Sequence, residues 1–249
     1  MMSLEAILGI KNKRPSMVGA QLGVSNDAEQ IVGIQLGITN RATRNYGIQL
    51  GLMNSGDESI GAQIGLLSGT EKSSRGLQAG LGAVTGSNYG VQMAFGILAQ
   101  ESNYGMQLGI FFAEAEKSSY GWQSALITNA QQESYGVQAG ALNMANSSHG
   151  LQVGGINVSE HSSEGIQLGL FDYATESNGI QAGAINISIR KKGIQVGLVD
   201  IVAKELQGVQ LGILCGANHG NYLQVGLLTF RGQGRLYSRI TPGIGFHRE

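Results

Sequence analysis

Glutamine returns every fourteen or fifteen residues along this chain, at Gln21, Gln35, Gln49, Gln63, Gln78, Gln92, Gln107, Gln123, Gln138, Gln152, Gln167, Gln181, Gln195, Gln210 and Gln224, with one spacing of sixteen. Most sit in the setting seen in NYGIQLGLMN, residues 45 to 54, with glycine two residues before and two residues after. Counting the first glycine as position 0, glycine holds that position in 14 of 15 copies, Tyr222 being the exception, and holds position 4 in all but Ala94 and Ala125. A degenerate earlier copy, AILGIKN at residues 6 to 12, has Ile7 at the glutamine position. A unit this short cannot fold alone, so its neighbours must supply the missing burial.

Positions 1, 3 and 5 are apolar in most copies and alternate with Gly, Gln and Gly at 0, 2 and 4, which is the period of a strand. Position 6 is apolar as well (Met53, Leu67, Ile156, Ile185, Leu214), so the chain must bend between 5 and 6. A strand, a corner and a second short strand would carry positions 1, 3, 5, 6 and 8 into one interior. The expected fold is all-β, a single-domain β-solenoid of about 16 coils of 14–15 residues with capped ends. The alternative is an antiparallel β-barrel, membrane-inserted or pore-forming, with the aliphatic positions facing lipid. Three features weigh against it: apolar position 6 would face the lumen, the connections do not alternate in length, and the strands are short for a membrane span.

Composition narrows the function classes. Forty glycines in 249 residues, without a three-residue period, exclude collagen. A net charge of −1 with scattered lysines and arginines offers no phosphate-tracking stripe, so no nucleic-acid partner is expected. The single cysteine, Cys215, reads as an inert, partly buried thiol. His149, His161, His219 and His247 fall at unrelated repeat positions, so no metal, cofactor or catalytic constellation is expected and the chain is not expected to be an enzyme.

In the expected solenoid, Gly-Gln-Gly faces outward. Stacked glutamine amides can then form a ladder, with the asparagine or aspartate at position 7 as a second ladder at the corner. The glycines suggest close approach of another flat sheet, which makes Gln49, Gln63, Gln78, Gln138, Gln152, Gln167, Gln181 and Gln195 a candidate self-association or partner face. Tyr89, Tyr104, Tyr120 and Tyr135 share position −1 of four consecutive coils and should stack into an aromatic stripe, packed or open to a protein or glycan. Trp122, followed by Ser124 and Ala125, reads as an interior indole offset by small neighbours. Phe95, Phe111 and Phe112 mark a local irregularity beside the one sixteen-residue spacing.

The units GIQLGLMN, GVQAGALN, GLQVGGIN and GIQLGLFD resemble the bacterial surface-repeat proteins built from tandem G-L-Q-L-G-L-x-N copies, over about residues 19 to 230. The resemblance implies work at a bacterial surface and assigns no activity; the Gly-Gln-Gly face and the tyrosine stripe are what suggest a structural or binding repeat protein that is a homo-oligomer or has a protein or glycan partner. Members commonly begin with a secretion leader. No signal peptide is visible here, which gives a cytoplasmic expectation for the chain as written and a surface one if it is exported by another route. The division expected is an N-terminal cap and degenerate coil over 1–18, solenoid repeats over 19–230, and a C-terminal cap over 231–249, where Tyr237, Ile240, Pro242 and Phe246 could cover the last coil. Membrane contact is expected only under the barrel alternative.

Overall fold

The computed structural model describes residues 4–232 and 239–248, and its architecture is a β-solenoid of about 15 parallel turns. It is not a barrel, so the antiparallel alternative and the membrane pore that rested on it are set aside. The described residues contain strand and no helix. The chain divides into two compact units, Met1–Leu126 and Ile127–Glu249. In the first, Ile34–Leu36 pairs in parallel with Ile48–Leu50, which pairs with Ala62–Ile64, so that Gln35, Gln49 and Gln63 lie directly over one another. In the second, Leu151–Ser163, Ile166–Ser177 and the strand beginning at Ile180 stack in the same way, with Gln152, Gln167 and Gln181 in register.

The facing of the strand is the reverse of the expectation. Gln49, Gln63, Gln78, Gln138, Gln152, Gln167, Gln181 and Gln195 are all fully buried. They point into the solenoid, so the Gly-Gln-Gly face is no outer surface. The apolar positions 1, 3, 5 and 6 point outward: Ile48, Leu52 and Met53 in one coil, Ile166, Leu168 and Leu170 in another, are exposed. The interior is narrow and is filled by four columns of slim residues. These are the glutamines, the asparagine-type column (Asn40, Asn54, Asn143, Asn157), a small column (Ala42, Thr70, Ala130, Ala145, Ala174) and a serine or asparagine column (Asn45, Ser59, Ser74, Ser134, Ser148, Ser163).

Amide ladders make such a polar interior affordable, because a buried amide without partners costs several kcal/mol. In the first unit Gln35 Nε2 donates to Gln21 Oε1, Gln49 to Gln35 and Gln63 to Gln49, each at 2.7 Å. The second unit repeats this from Gln152 to Gln138 at 2.9 Å through Gln224 to Gln210 at 2.7 Å. The asparagine column runs the other way. Asn12 Nδ2 donates forward to Asn26 Oδ1 at 2.8 Å, Asn26 to Asn40 at 2.9 Å and Asn40 to Asn54 at 2.9 Å. Asn12, Asn26, Asn40, Asn54, Asn143 and Asn186 also donate to the carbonyl ten residues ahead, as Asn40 does to Leu50 O at 2.8 Å. The first glutamine rung ends at Gln21, whose Nε2 has no acceptor; one repeat earlier stands Ile7, which can offer none.

Both glycine rows now have a reason internal to the stack. A Cβ at position 0 would meet the carbonyl oxygen of the previous coil's glycine, at 1.9 Å for Gly47 against Gly33 and 1.9 Å for Gly150 against Gly136. Gly33, Gly193 and Gly208 in this row also hold positive φ of 149°, 120° and 150°. At position 4 the obstacle includes the asparagine rung of the previous coil: a Cβ on Gly51 would stand 2.6 Å from Asn40 Nδ2, and on Gly154 2.6 Å from Asn143 Nδ2. The two alanines at position 4 both stand over apolar rungs. Ala94 and Ala125 pack with Ala83, Ile97 and Ala113, which stand in the asparagine column. At Tyr222 the tight approach moves two residues back, to Gly220, whose Cβ would lie 2.1 Å from Leu206 O.

Arg239–His247 runs antiparallel along Tyr222–Arg231, pairing Pro242 with Leu228 and Phe246 with Leu223, and Phe246 remains exposed. The strand therefore occupies the hydrogen-bonding edge of the final turn. Tyr237 lies outside the described residues.

Candidate interaction surface

Because the four interior columns are polar or small, nearly all large apolar side chains are left on the outer wall. In the second unit Leu170 and Leu227 are each 70% exposed, and Ile166, Leu168, Ile180, Ile194, Val196 and Leu198 continue the array. Charged residues collect on the remaining wall, after position 8, where they pair between coils: Lys72 with Asp57 at 3.2 Å, Lys117 with Glu101 at 3.1 Å, and Arg190 with Glu176. Such exposed pairs contribute little stability. They do keep charge off the apolar wall.

The first unit carries the aromatic part of that wall. Trp122 is 45% exposed rather than interior, so the expected compensation by Ser124 and Ala125 does not apply. Phe95 and Phe111 lie with ring centroids 5.7 Å apart. The pairing of Val91–Ala99 with Met106–Ala115 shifts between Ala94 and Gly96, setting Gly96 opposite Phe112. That bulge accommodates the extra length of the sixteen-residue repeat, and the Phe112 ring lies over Gly96, where a Cβ would meet it at 2.4 Å. Met93, Met106, Ile110 and Leu126, in the same and adjoining coils, are exposed too.

The tyrosine stripe borders this wall. Tyr89 and Tyr104 stack at 4.9 Å and 4°, and Tyr104 and Tyr120 at 4.9 Å and 2°, with the Arg75 guanidinium 5.6 Å from the Tyr89 centroid. Tyr135, in the second unit, stacks on His149 at 4.7 Å. Ring faces are taken up by the stack, and the Tyr135 hydroxyl donates to Glu133 Oε2 at 2.8 Å. His149 also meets Glu164 at 3.1 Å, His161 and His219 are exposed, and His247 Nε2 lies 3.0 Å from the Arg231 guanidinium.

The titratable groups that depart from their ordinary values are interior. Burial pushes the Cys215 thiol up to about 12, leaving it a protonated thiol at neutral pH. Asp172 and Asp200 are pushed up to about 6 by burial, opposed by the hydrogen bonds from Asn157 and Asn186 respectively. Lys191 is brought down to about 7 by burial, opposed by Asp200 and Asp172. Among the described residues no group of three or more His, Cys, Asp and Glu is arranged to hold a metal ion.

No protein-family model matches the chain, and no curated protein or solved structure is detectably similar to it.

Proposed function

We propose that this is a non-enzymatic structural repeat protein that self-associates through its outer apolar wall, a second copy covering the Phe95, Phe111, Phe112 and Trp122 patch. One observation carries the reading: large aliphatic and aromatic side chains lie outward coil after coil, while the interior is closed by packed polar rungs. Side chains of roughly 150–250 Å² left about half exposed sum to on the order of 1,000 Å² in the first unit, more than the ~800 Å² that each partner of a standard interface buries. A second copy suits this wall because its own coils repeat at the same strand spacing, so two walls can interdigitate row on row. Aromatic and methionine side chains at the centre are the usual anchors of such contacts. An anionic lipid surface suits it less well, since the charged residues are of both signs and sit on the other wall. The resemblance of the repeat to bacterial surface-repeat proteins supports work at a cell surface, where a protein or glycan partner could share the same wall.

The test is the molar mass of the purified chain by light scattering, for wild type and for Phe111→Glu with Trp122→Glu. Both side chains are outward, so the substitutions should leave the circular dichroism of the folded chain unchanged, while the unfolding midpoint falls only by the stabilisation that association lent the wild type. Wild type is expected as a dimer or larger, and the double variant as a monomer. A monomeric wild type, or a variant with unchanged mass, overturns the proposal. Co-sedimentation of the monomer with phosphatidylcholine vesicles would point to lipid in place of a second copy.

A further inference from the structure

In the second unit the asparagine ladder contains two aspartates, and a carboxylate cannot do what an asparagine does there. Each asparagine rung accepts at Oδ1 from the coil before and donates from Nδ2 to the coil after. Asn143 donates to Asn157 Oδ1 at 2.8 Å and Asn157 to Asp172 Oδ1 at 2.6 Å. At Asp172 the relay stops. Its Oδ2 is buried with no partner, and the rung paired with it in register, Asn186, has a buried Oδ1 with no partner either. Turning the Asn186 amide around does not mend this, because its Nδ2 already donates to Val196 O at 3.0 Å and to Asp200 Oδ1 at 2.6 Å. Two acceptors on adjoining rungs thus lack one hydrogen between them.

We propose that Asp172 is a proton-binding rung: a proton on Oδ2 donates to Asn186 Oδ1, restores the ladder, and tightens the second unit as the pH falls below neutrality. The charges around it fit a single proton. Facing Asp172 from its own strand are Gln167, Ala174 and Ser177, and from the coil before it Asn157 and Ser159, none of which titrates. From the coils after it come Lys191 and Asp200, with Cys215 in register beside Asp200. Lys191 Nζ is buried and donates to Ser177 Oγ and Gly179 O, each at 2.7 Å. Of the two aspartates, Asp200 raises the Lys191 value more. An ammonium on Lys191 against one carboxylate and one acid leaves the interior neutral; Asp200, also pushed up to about 6, titrates over the same range and does so whether position 172 is Asp or Asn. At Asp200 the next rung is different. Cys215 gives its thiol hydrogen to Val225 O at 3.7 Å and presents sulfur, a weak acceptor, where Asn186 presents an amide oxygen. Glu160, His161, Arg190 and Lys192 lie on the outer walls.

The sign follows from linkage. Asp172 binds its proton more tightly folded, at about 6, than an ordinary aspartate does unfolded, so its contribution to stability grows as pH falls through 6 and levels off below the unfolded value. Lys191 acts in the opposite sense, mainly above pH 7, because its folded value is depressed. Glu101, held low by the hydrogen bond from Lys117, also opposes the effect, so the informative quantity is a difference between wild type and Asp172→Asn. Asparagine brings its own Nδ2 hydrogen and needs no proton, and it is the commoner residue in this column, so the variant should fold. Between pH 7 and pH 5 the unfolding equilibrium constant of wild type is expected to fall about tenfold relative to that of the variant, measured by urea titration at both pH values. Parallel behaviour of the two proteins would overturn the proposal. So would a 13C carboxyl titration of wild-type Asp172 showing a midpoint below 4.

Discussion

Gly150→Ala is expected to cost about 3 kcal/mol or more, a large share of the stability of a domain this size. The added methyl would lie 1.9 Å from the carbonyl oxygen of Gly136 and 2.9 Å from its carbonyl carbon. Both are backbone atoms of the coil beneath, and neither can rotate away. The strain can be relieved only by prising adjacent turns apart, which loses the 2.9 Å bond from Gln152 to Gln138 close by. The control is Gly69→Ala, where the nearest atom, Val84 O, is 3.8 Å from the added methyl. Alanine there is expected to be neutral or to stabilise by a few tenths of a kcal/mol, about the gain from a less flexible unfolded chain. Urea midpoints of the two variants against wild type make the comparison. Equal small effects would mean that the glycine row is not held by coil-to-coil contact.

Gln152→Leu is expected to cost about 2–4 kcal/mol despite the near match in size, because it strands polar groups in a dry interior. Gln138 Oε1 loses the donor at 2.9 Å, while Gln167 Nε2 and Ser159 Oγ lose the acceptor they reach at 2.8 and 3.3 Å. Breaking the ladder at one rung also removes the polarisation that each bond lends the next. By contrast Ile166→Ala, one coil along on the outer wall, should cost well under 1 kcal/mol, since the side chain is already partly in water. An ordinary amphipathic strand would give the opposite ranking, with the isoleucine dear and the glutamine cheap. Thermal or urea unfolding of this pair reads the ranking directly.

Period and strand alternation made the solenoid legible in the sequence, and the same alternation hid its facing. A two-residue period distinguishes two faces and says nothing of which is inside; the usual assignment, apolar inward, is a rule about average interiors. Here the interior is too slender for branched aliphatic rows and is built from amides that satisfy one another. One signal within the chain pointed that way. Position 1 tolerates Ile48, Ala62, Leu77, Val91, Met106 and Trp122, a range that no tightly laddered column could hold, whereas position 2 is glutamine throughout the fifteen copies. The small column of Ala42, Thr70, Ala130 and Ala174 and the column of Ser59, Ser74, Ser134 and Ser148 lie in segments of small and polar residues with no apolar alternation, so nothing in the sequence marks them as core. The glycine rows do mark a close backbone approach, but not the second flat sheet that the sequence suggested. The backbone is that of the chain's own neighbouring coil.

The aromatic stripe was legible because Tyr89, Tyr104 and Tyr120 keep one repeat position, and stacking at 4.9 Å follows from the coil spacing. The bulge that opposes Phe112 to Gly96 was visible only as a sixteen-residue spacing, with nothing to say which residues would carry the excess. The gap at Asp172 depends on the direction in which amides donate along the column. That direction is a property of the packed ladder and has no trace in residue identities.

Side-chain amide hydrogen exchange, followed by NMR, reads the facing of the strand more directly than any substitution. The Nε2 hydrogens of Gln152, Gln167, Gln181 and Gln195 are expected to exchange only through opening of the stack, orders of magnitude more slowly than those of the exposed Gln100 and Gln132. Exchange of the ladder glutamines at the rate of the exposed ones would place them on the surface, and would contradict both the polar interior and the apolar outer wall.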